Sequence, residues 1–436
     1  MGTEAKMGDG RSLTASALRQ SNWYPWVVVI ALGLMSAGTT GTYSIVAGSF
    51  VTPVCEDLGF DYAEYSFYFT AVLIGLSAAL PFVGKLIPHV VGRVWHPLIE
   101  CILLAAGAGM AFYTEAWMFI ASAFIIGACF AFTTGVCMSD VIDQWFRERA
   151  GFAIGLAWAV NSLCVLCLSP LVTVFIEDFG WRQGFLALAA ISAVLILPAS
   201  IFVIRFCPAD KGMLPYGVTE KYALAPDATE DLEPGTDDAE GVPFSSAVKS
   251  PAFFCCVGFL CLVQLTCCMN QLFPTYATEV GFDPLVGGLM VSAASLFDIF
   301  LNPLVGGTCD KVDSSKAIVG WVAISALSFA LLMLGAGNSW LSILAAGVND
   351  VMFAISGTAM PILVLAIFGS RDFGRIFSLV CAAGYIVGAF GMPVMMQVYA
   401  WAGSFSGVFL FCIALDALIA LLALLARKAG ANLSRG

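Results

Sequence analysis

Six carboxylic acids stand inside long apolar runs of this 436-residue chain, where charged side chains are rare. A carboxyl in such a run can take up a proton while it faces one side of a membrane and release it while it faces the other. Asp298 and Asp350 lie near the middle of their runs and are therefore the candidates for proton transfer. For the other four, packing or a place in a gate is the simpler interpretation. The six acids are Glu100, Asp140, Asp143, Asp298, Asp350 and Asp416.

Asp298 belongs to a polar face of the run 285–307. Steps of three, three and four residues place the members of this face on one side of a helix. At about 1.5 Å per residue, Asp298 lies roughly 20 Å from the outer end of the run, inside a hydrocarbon core of about 30 Å. We therefore expect Asp298 to be the proton-coupling site, with Asp350 as its rival or its partner. The face consists of Ser292, Ser295, Asp298 and Asn302.

Uncharged polar residues in other runs are candidates for the same pathway. In lipid, a polar stripe must turn towards the interior of the protein, where it lines a pathway or forms hydrogen bonds between helices. Both roles fit these residues, and the sequence leaves the choice open. The candidates are Gln264, Gln271, Tyr43, Asn161 and Tyr385.

The composition requires a membrane to position these residues. Hydrophobic residues make up 60% of the chain, charged residues 11%, and the mean hydropathy is +0.92. A soluble domain carries about twice that share of charge. We predict an all-α membrane protein with twelve transmembrane helices. The predicted spans are 24–48, 63–87, 96–113, 117–142, 151–176, 182–205, 252–278, 285–307, 316–336, 340–367, 374–399 and 404–426.

The basic residues predict the orientation of the chain. If both termini are cytoplasmic, all of the 19 Lys and Arg residues except Arg182 fall on the cytoplasmic side. Residues 1–22 are polar and are followed by a run too long for a signal peptide. We therefore expect a multi-pass protein of the plasma membrane, with span one retained.

Short sequence repeats divide the chain into two similar halves. The phrase that begins at Pro81 returns at Pro303, and the phrase that begins at Gly180 returns at Gly403, at nearly the same spacing. A doubled unit of about two hundred apolar residues is typical of transporters. The acidic stretch between the units cannot bury apolar surface, which favours a flexible linker. We predict a six-helix half over 1–206, a cytoplasmic linker over 207–249 and a second half over 250–436.

Several chemistries are disfavoured by what the sequence contains. Most of the fifteen cysteines lie in apolar runs, where they pack as small residues. The two histidines, His89 and His96, lie too close together in sequence for a dispersed catalytic or metal set, and no phosphate-binding loop motif occurs. We expect no enzyme activity, no metal or cofactor and no nucleic-acid partner, and transport driven by a gradient or running downhill.

The loops after the second and eighth spans resemble the signature of the major facilitator superfamily, Gly-x-x-x-Asp-Arg/Lys-x-Gly. The second copy, from Gly306 to Lys311, has the glycine, the acid and the base, whereas the first, from Gly84 to Arg93, lacks the acid. The resemblance implies a twelve-helix fold in two pseudo-repeats and gating loops on the cytoplasmic side. The gating residues would be Gly84, Arg93, Arg149, Gly306, Asp310, Lys311 and Arg371.

A narrower resemblance concerns the monocarboxylate porter and oxalate–formate branch. The segments Trp145–Gly151, Gly180–Arg182 and Cys207–Gly217 are similar to that branch, which implies a small organic anion as substrate. Porters carry Arg-Pro four residues after an acid in span eight, but here Asn302-Pro303 follows Asp298. Without a cation at mid-depth, a neutral or cationic solute fits the acids better. Three hypotheses remain: a proton-coupled carrier of a small organic solute, possibly a monocarboxylate; a carrier of a neutral or cationic solute; or a transport-inactive sensor or scaffold. We expect a monomer in each case.

Overall fold

Long helices dominate the chain, because in lipid only a helix satisfies all backbone hydrogen bonds within one segment. A computed structural model describes residues 4–6, 12–14, 21, 23–60, 62–91, 95–217, 241–431 and 433. In this part of the chain, ten helical runs are long and apolar enough to cross a membrane. Ahead of them, strands β1 (Glu4–Lys6) and β2 (Ser12–Thr14) pair antiparallel.

The first half is built from eight α-helices. The first continues as a π-helix over Ala37–Ile45 and a 3₁₀ turn over Val46–Phe50, and the eighth ends in a π-helix over Ala199–Val203. The helices are α1 (Tyr24–Ser36), α2 (Val51–Leu58), α3 (Tyr62–Val90), α4 (Trp95–Gly109), α5 (Ala116–Thr133), α6 (Gly135–Trp145), α7 (Ala150–Phe179) and α8 (Trp181–Pro198).

The second half repeats this plan after a short helix, α9 (Phe244–Ala247). A π-helix over Ile355–Ala359 lies inside its fourth span. The helices are α10 (Pro251–Cys267), α11 (Met269–Glu279), α12 (Pro284–Lys311), α13 (Ser314–Leu334), α14 (Ser339–Asn349), α15 (Val351–Ala354), α16 (Met360–Phe368), α17 (Phe373–Gly388), α18 (Gly391–Ala402) and α19 (Phe405–Gly430).

Two of the twelve predicted spans fall outside the ten runs for identifiable reasons. The eleventh is bent by 41° between α17 and α18, and counts as an eleventh crossing if the pair is one span. The second corresponds to α3, whose apolar part among the described residues is Phe67–Val83. The all-α membrane fold is confirmed.

Both halves have a glycine with positive φ between two helices, at an equivalent place in the sequence repeat. Gly180 separates α7 from α8 at φ +83°, and Gly403 separates α18 from α19 at φ +71°. Glycine adopts positive φ without steric cost, which permits a sharp turn between adjacent helices. The two glycines occupy equivalent positions of the sequence repeat and both have positive φ, but their ψ angles differ, at 160° for Gly180 and 6° for Gly403.

The two ends of the predicted linker are packed against different halves. Tyr216 N donates to Trp145 O at 2.8 Å, and Arg147 N donates to Tyr216 O at 3.0 Å. Val242 N donates to Phe368 O at 2.7 Å in the second half. The segment 207–217 is therefore ordered on the first half and 241–249 on the second, whereas the prediction of a flexible stretch over 218–240 lies outside the described residues.

The halves meet most closely where α7 crosses α12. A methyl group placed on Gly155 would lie 2.3 Å from the carbonyl oxygen of Asn302, and one on Gly306 would lie 2.1 Å from the carbonyl oxygen of Gly151. Such distances leave no room for a side chain, so small residues allow the two backbones to touch.

Candidate functional site

Two broken helices bring polar groups to the centre of the second half. The seventh span breaks at Cys268, between α10 and α11, and Asn270 lies just after the break. The tenth span breaks at Asp350, between α14 and α15. Discontinuous helices are a common way to build binding sites inside membranes, because each break frees backbone groups and redirects side chains.

Asp298, on α12, is held by residues from both halves. Ser162 Oγ, on α7 of the first half, donates a short hydrogen bond to Asp298 Oδ2. Asn302 Nδ2, one turn along α12, donates to Asp298 Oδ1 at 2.6 Å. Thr358, in the π-helix of the tenth span, donates in turn to Asn302 Oδ1 at 2.8 Å. Asp298 is therefore fixed at the boundary between the halves.

Asp350 extends this network away from the boundary. Its carboxyl contacts that of Asp298, and Asn270 Nδ2 donates to its Oδ1 at 2.7 Å. Asp350 is 4% exposed, whereas Asp298 is only partly buried. The carboxyls of Asp298 and Asp350 are thus close enough to interact.

The site holds more hydrogen-bond acceptors than donors. Asp350 Oδ2 and Asn270 Oδ1 are both buried, and neither receives a hydrogen bond from a protein donor in the described chain. Neither of the two aspartates forms an ion pair with Lys or Arg among the described residues. Buried acceptors without donors are costly, so this site favours a ligand that brings a donor or a positive charge.

Three other predicted pathway residues lie near the boundary but outside this network. Ser356 Oγ donates to Gln264 Oε1 at 3.2 Å, which joins the seventh and tenth spans. Tyr385 reaches the first half, where its hydroxyl would lie 3.8 Å from a methyl group on Gly135. Asn161 is buried beside Gly41, and its Oδ1 receives no hydrogen bond from a described donor.

Two predicted pathway residues lie away from the acids. Tyr43 is fully buried within the first half, where its hydroxyl would lie 2.3 Å from a methyl group on Gly107 of α4. Gln271 is exposed on α11. The structure does not bring either residue into the Asp298 network.

The predicted gating loop of the second half makes a direct contact with the first half. Gly151 N and Phe152 N, at the start of α7, donate to the two carboxyl oxygens of Asp310 at 2.9 and 2.8 Å. Gly306 packs against the carbonyl oxygen of Gly151. Asp310 thereby caps a helix of the opposite half and joins the two halves at this end of the helices.

The other residues predicted to form gating loops lie at or near helix ends, with the exceptions given below. Arg149 precedes α7 in a left-handed conformation at φ +61°, and Lys311 is the exposed last residue of α12. Arg371 lies in the turn before α17, against Gly241. Gly84 is in the helical backbone of α3, and Arg93 lies outside the described residues.

A second buried acid is held within the first half alone. Ser200 Oγ donates to Glu100 Oε2 at 2.6 Å, and His96 Nδ1 lies 3.9 Å from Glu100 Oε1. His96, which the sequence placed near a loop, is 1% exposed and its Nε2 lies 3.1 Å from the carbonyl oxygen of Phe132. That carbonyl is freed by the break between α5 and α6, which explains the buried histidine.

Sequence reasoning missed Asn270 and Thr358 as members of the site. Asn270 lies three residues after Cys267, a member of a polar stripe visible in the sequence, and Thr358 lies two helical turns after Asp350. Helical spacing was thus a usable signal for Thr358, whereas the break at Cys268 separates Asn270 from that stripe. Ser162 is adjacent to Asn161 in the sequence and takes the contact with Asp298 instead of it.

The family model of the Major Facilitator Superfamily matches residues 29–318 and 255–434. The chain belongs to this superfamily. Its membership agrees with the multi-pass helical architecture described above.

Curated relatives within the superfamily include two monocarboxylate transporters. Monocarboxylate transporter 3 of Gallus gallus is 25% identical over 271 residues, covering 55% of this chain and 48% of that protein. Monocarboxylate transporter 12 of Homo sapiens is 24% identical over 247 residues, covering 52% of this chain and 44% of that protein. The chain spans about half the length of the curated relatives that it matches.

Solved structures of superfamily transporters share the fold. A variant of the E. coli fucose:proton symporter FucP gives a TM-score of 0.68 at 13% identity, covering 93% of this chain and 99% of that one. The proton:xylose symporter XylE gives 0.66 at 15% identity, covering 92% and 94%. The human organic anion transporter MFSD10 gives 0.63 at 16% identity, covering 93% and 100%.

Proposed function

We propose that this superfamily member is a proton-coupled carrier of a small organic solute, with Asp298 and Asp350 as its proton site. The observation that carries the proposal is the contact between these two carboxyls, in a network with two unsatisfied acceptor oxygens. Two carboxylates in contact repel each other, and one shared proton relieves the repulsion while supplying a donor.

The position of Asp298 suggests how proton binding at this residue changes the contact between the two halves. Its hydrogen bond to Ser162 crosses from α12 to α7, the pair of helices whose backbones touch. A carboxylate accepts this bond strongly, and protonation weakens it. Proton uptake at Asp298 therefore alters a contact that must change when the halves rock around a central site in alternating access.

For the substrate, we propose a monocarboxylate, in line with the names of the curated relatives. A monoanion that enters together with one proton adds no net charge to the site. A neutral or cationic solute is the second candidate, because the network has acceptors in excess and lacks an ion pair to Lys or Arg among the described residues. We also propose a monomer in the plasma membrane with cytoplasmic termini and with halves joined over 207–249, on the basis of the basic-residue pattern and the repeat.

Reconstituted protein with a pH-sensitive dye sealed inside the vesicles tests this proposal. Addition of a substrate outside should acidify the interior, with monocarboxylates, sugars and amines tried in turn. An imposed membrane potential then separates the candidates, because moving one net charge is worth about 2.3 kcal/mol per 100 mV. The rate of monoanion–proton uptake should not depend on the membrane potential. The rate of uptake of a neutral solute with a proton should increase when the vesicle interior is negative. Solute uptake without any proton movement would refute the coupling, and no uptake of any kind would favour a sensor or scaffold.

A further inference from the structure

In each half, one helix that starts on the cytoplasmic side has a glycine as its second residue. These are Gly151 in α7 and Gly374 in α17, which have the same spacing as Gly180 and Gly403 and are therefore equivalent in the repeat. Each glycine lies against a carboxyl from the opposite half. Gly151 N donates to Asp310 Oδ1 at 2.9 Å, and a methyl group on Gly374 would lie 2.7 Å from Asp140 Oδ2.

The two carboxyls come from different spans. The position equivalent to Asp310 in the first half is Pro88, at the spacing that relates Pro81 to Pro303, so the acid of the signature is missing there. The position equivalent to Asp140 in the second half is Ile362, and its Cδ1 would lie 2.6 Å from a methyl group on Gly151. The start of α7 therefore contacts two side chains of the second half: the acid Asp310 on α12 and the apolar Ile362 on the tenth span.

The start of α17 needs an external acid. The first N–H groups of a helix lack partners within it, and this end carries a partial positive charge. Asp372, which precedes α17, does not cap it, because its carboxyl accepts from Phe244 N at 2.7 Å and from Arg375 Nη1 at 3.1 Å. Asp140 is 6% exposed and is the acid from the first half that abuts this helix start.

We propose that Asp140 is a latch residue. Its carboxyl stabilises the start of α17, as the carboxyl of Asp310 stabilises the start of α7. The acid missing from the first signature loop has been supplied from the fourth span. Both contacts join opposite halves, so both must separate when the cytoplasmic side opens. Asp140 is a positioning residue for the transport cycle rather than part of the proton site at Asp298.

Amide hydrogen exchange of the full-length protein in nanodiscs tests this proposal without depending on transport. Asp140→Asn should make the amides of 373–376 exchange about 5- to 30-fold faster, because it removes a buried carboxyl group from a helix start. The amides of 151–154 should be unaffected. Asp310→Asn should show the reverse pattern.

Asp143→Asn is the matched control, since Asp143 is a buried acid one turn further along α6. Exchange at both helix starts should stay unchanged in this variant. In the Asp310→Asn background, Ile362→Asp should restore slow exchange at 151–154, because it places the acid in the position that Asp140 has in the first half. The proposal is overturned if Asp140→Asn leaves 373–376 at the wild-type rate, or if all three single variants raise exchange throughout the chain alike.

A second inference rests on a cleft between the cytoplasmic ends of α13 and α19. The cleft has a volume of about 460 Å³. Arg427 Nε lies 3.0 Å from Asp313 Oδ2, so these two charges offset one another. Lys316 and Lys428 are exposed and form no ion pair within the described residues. The lining residues are Asp313, Ser315, Lys316, Leu424, Arg427, Lys428 and Ala431.

The geometry points to the headgroup of an anionic phospholipid as the occupant of this cleft. The two uncommitted ammonium groups lie at the ends of two membrane-spanning helices, and Leu424, which is 45% exposed, adds apolar surface for an acyl chain. A free phosphate would satisfy only the charges, whereas a lipid also covers the leucine.

Thermal unfolding of the purified protein with added phosphatidylglycerol tests this assignment. The lipid should raise the Tm in a saturable way, whereas phosphatidylcholine and inorganic phosphate should not. Lys316→Ala with Lys428→Ala should weaken lipid binding by about 25-fold, on the basis of roughly fivefold for each basic residue near an anionic surface. Lys249→Ala, at an exposed cytoplasmic lysine outside the cleft, is the control. Equal stabilisation by both lipids, by free phosphate, or of the double variant would contradict the assignment.

Discussion

The two halves of this superfamily member share a backbone plan but differ in their central chemistry. The second half carries Asp298, Asp350 and Asn302, which form one network with a residue of the first half. The equivalent positions of the first half are apolar. The repeat therefore preserved the framework on which the halves pack, while the acids that fit a proton site lie on one side only. The equivalent residues are Leu76, Ala128 and Leu80.

Glu100, one of the buried acids of the first half, sharpens this contrast. Glu100 is fully buried and is held by Ser200 of its own half. Asp298, by contrast, is partly accessible and is bound by Ser162 from across the boundary. Burial of an acid in a membrane span is thus not enough to infer coupling, because the acid must also contact an element that moves against it.

The largest expected effect comes from forcing the halves apart where they touch. Gly155→Leu would push a side chain into the carbonyl of Asn302, which a methyl group would already approach to 2.3 Å. Overpacking of this kind typically costs about 1–3 kcal/mol, and here it also prevents closure of α7 on α12. We expect transport to disappear and the Tm to fall, as measured by uptake and by thermal unfolding.

Gly320→Leu provides the control for that substitution. Gly320 lies on α13 with no atom within 4 Å of an added methyl group, so a side chain fits there without strain. Transport should remain within about twofold of the wild type. Normal transport by Gly155→Leu would show that the close approach is not needed for the cycle.

An intermediate effect is expected at Asn270, which donates the hydrogen bond to Asp350 in the described chain. Asn270→Ala removes a bond to a carboxyl, a loss of about 1.5–3 kcal/mol, and leaves both oxygens of Asp350 without a donor. We expect the initial rate of proton-driven uptake to fall at least about tenfold. The neighbouring variant Gln271→Ala alters an exposed side chain outside the network and should change the rate little. Equal losses in both variants would mean that the network around Asp350 has no special role.

The smallest effect is expected at Asp313, outside the spans. Hydrogen bonds from Ser315 and the charge of Arg427 hold the pKa of Asp313 below its usual value. A lowered pKa means that this contact stabilises the fold above the ordinary pKa of Asp, near 4, and that the contribution is lost as the pH falls through the folded-state pKa. Because both side chains are partly exposed, Asp313→Asn should cost under about 1 kcal/mol at pH 7. Thermal unfolding at pH 7 should show a small drop in Tm, which should vanish once the pH is below the folded-state pKa of Asp313.

Hydropathy and helical periodicity were enough to predict the architecture. The face that carries Asp298 and Asn302 lies on a continuous helix, so steps of three and four residues predicted it correctly. The contact between Asp298 and Asp350 was anticipated only as a possibility, because it depends on how two spans pack.

The same reasoning failed where helices are broken or widened. Asn270 follows a break at Cys268, which changes the direction of every later side chain in that span. Tyr43 lies in a π-helix, where more residues per turn rotate the face away from that of a regular α-helix. Single-sequence periodicity assumes a straight helix, so it could not place either residue.

The central claim is that the second half alone holds the proton site. Asp298→Asn mimics the neutral acid, so it should abolish accumulation driven by acid outside the vesicles while it leaves counterflow exchange of the same solute intact. Glu100→Gln, the corresponding change to the buried acid of the first half, should preserve both activities. Accumulation by Asp298→Asn under the same acid gradient, or its loss in Glu100→Gln alone, would contradict the account.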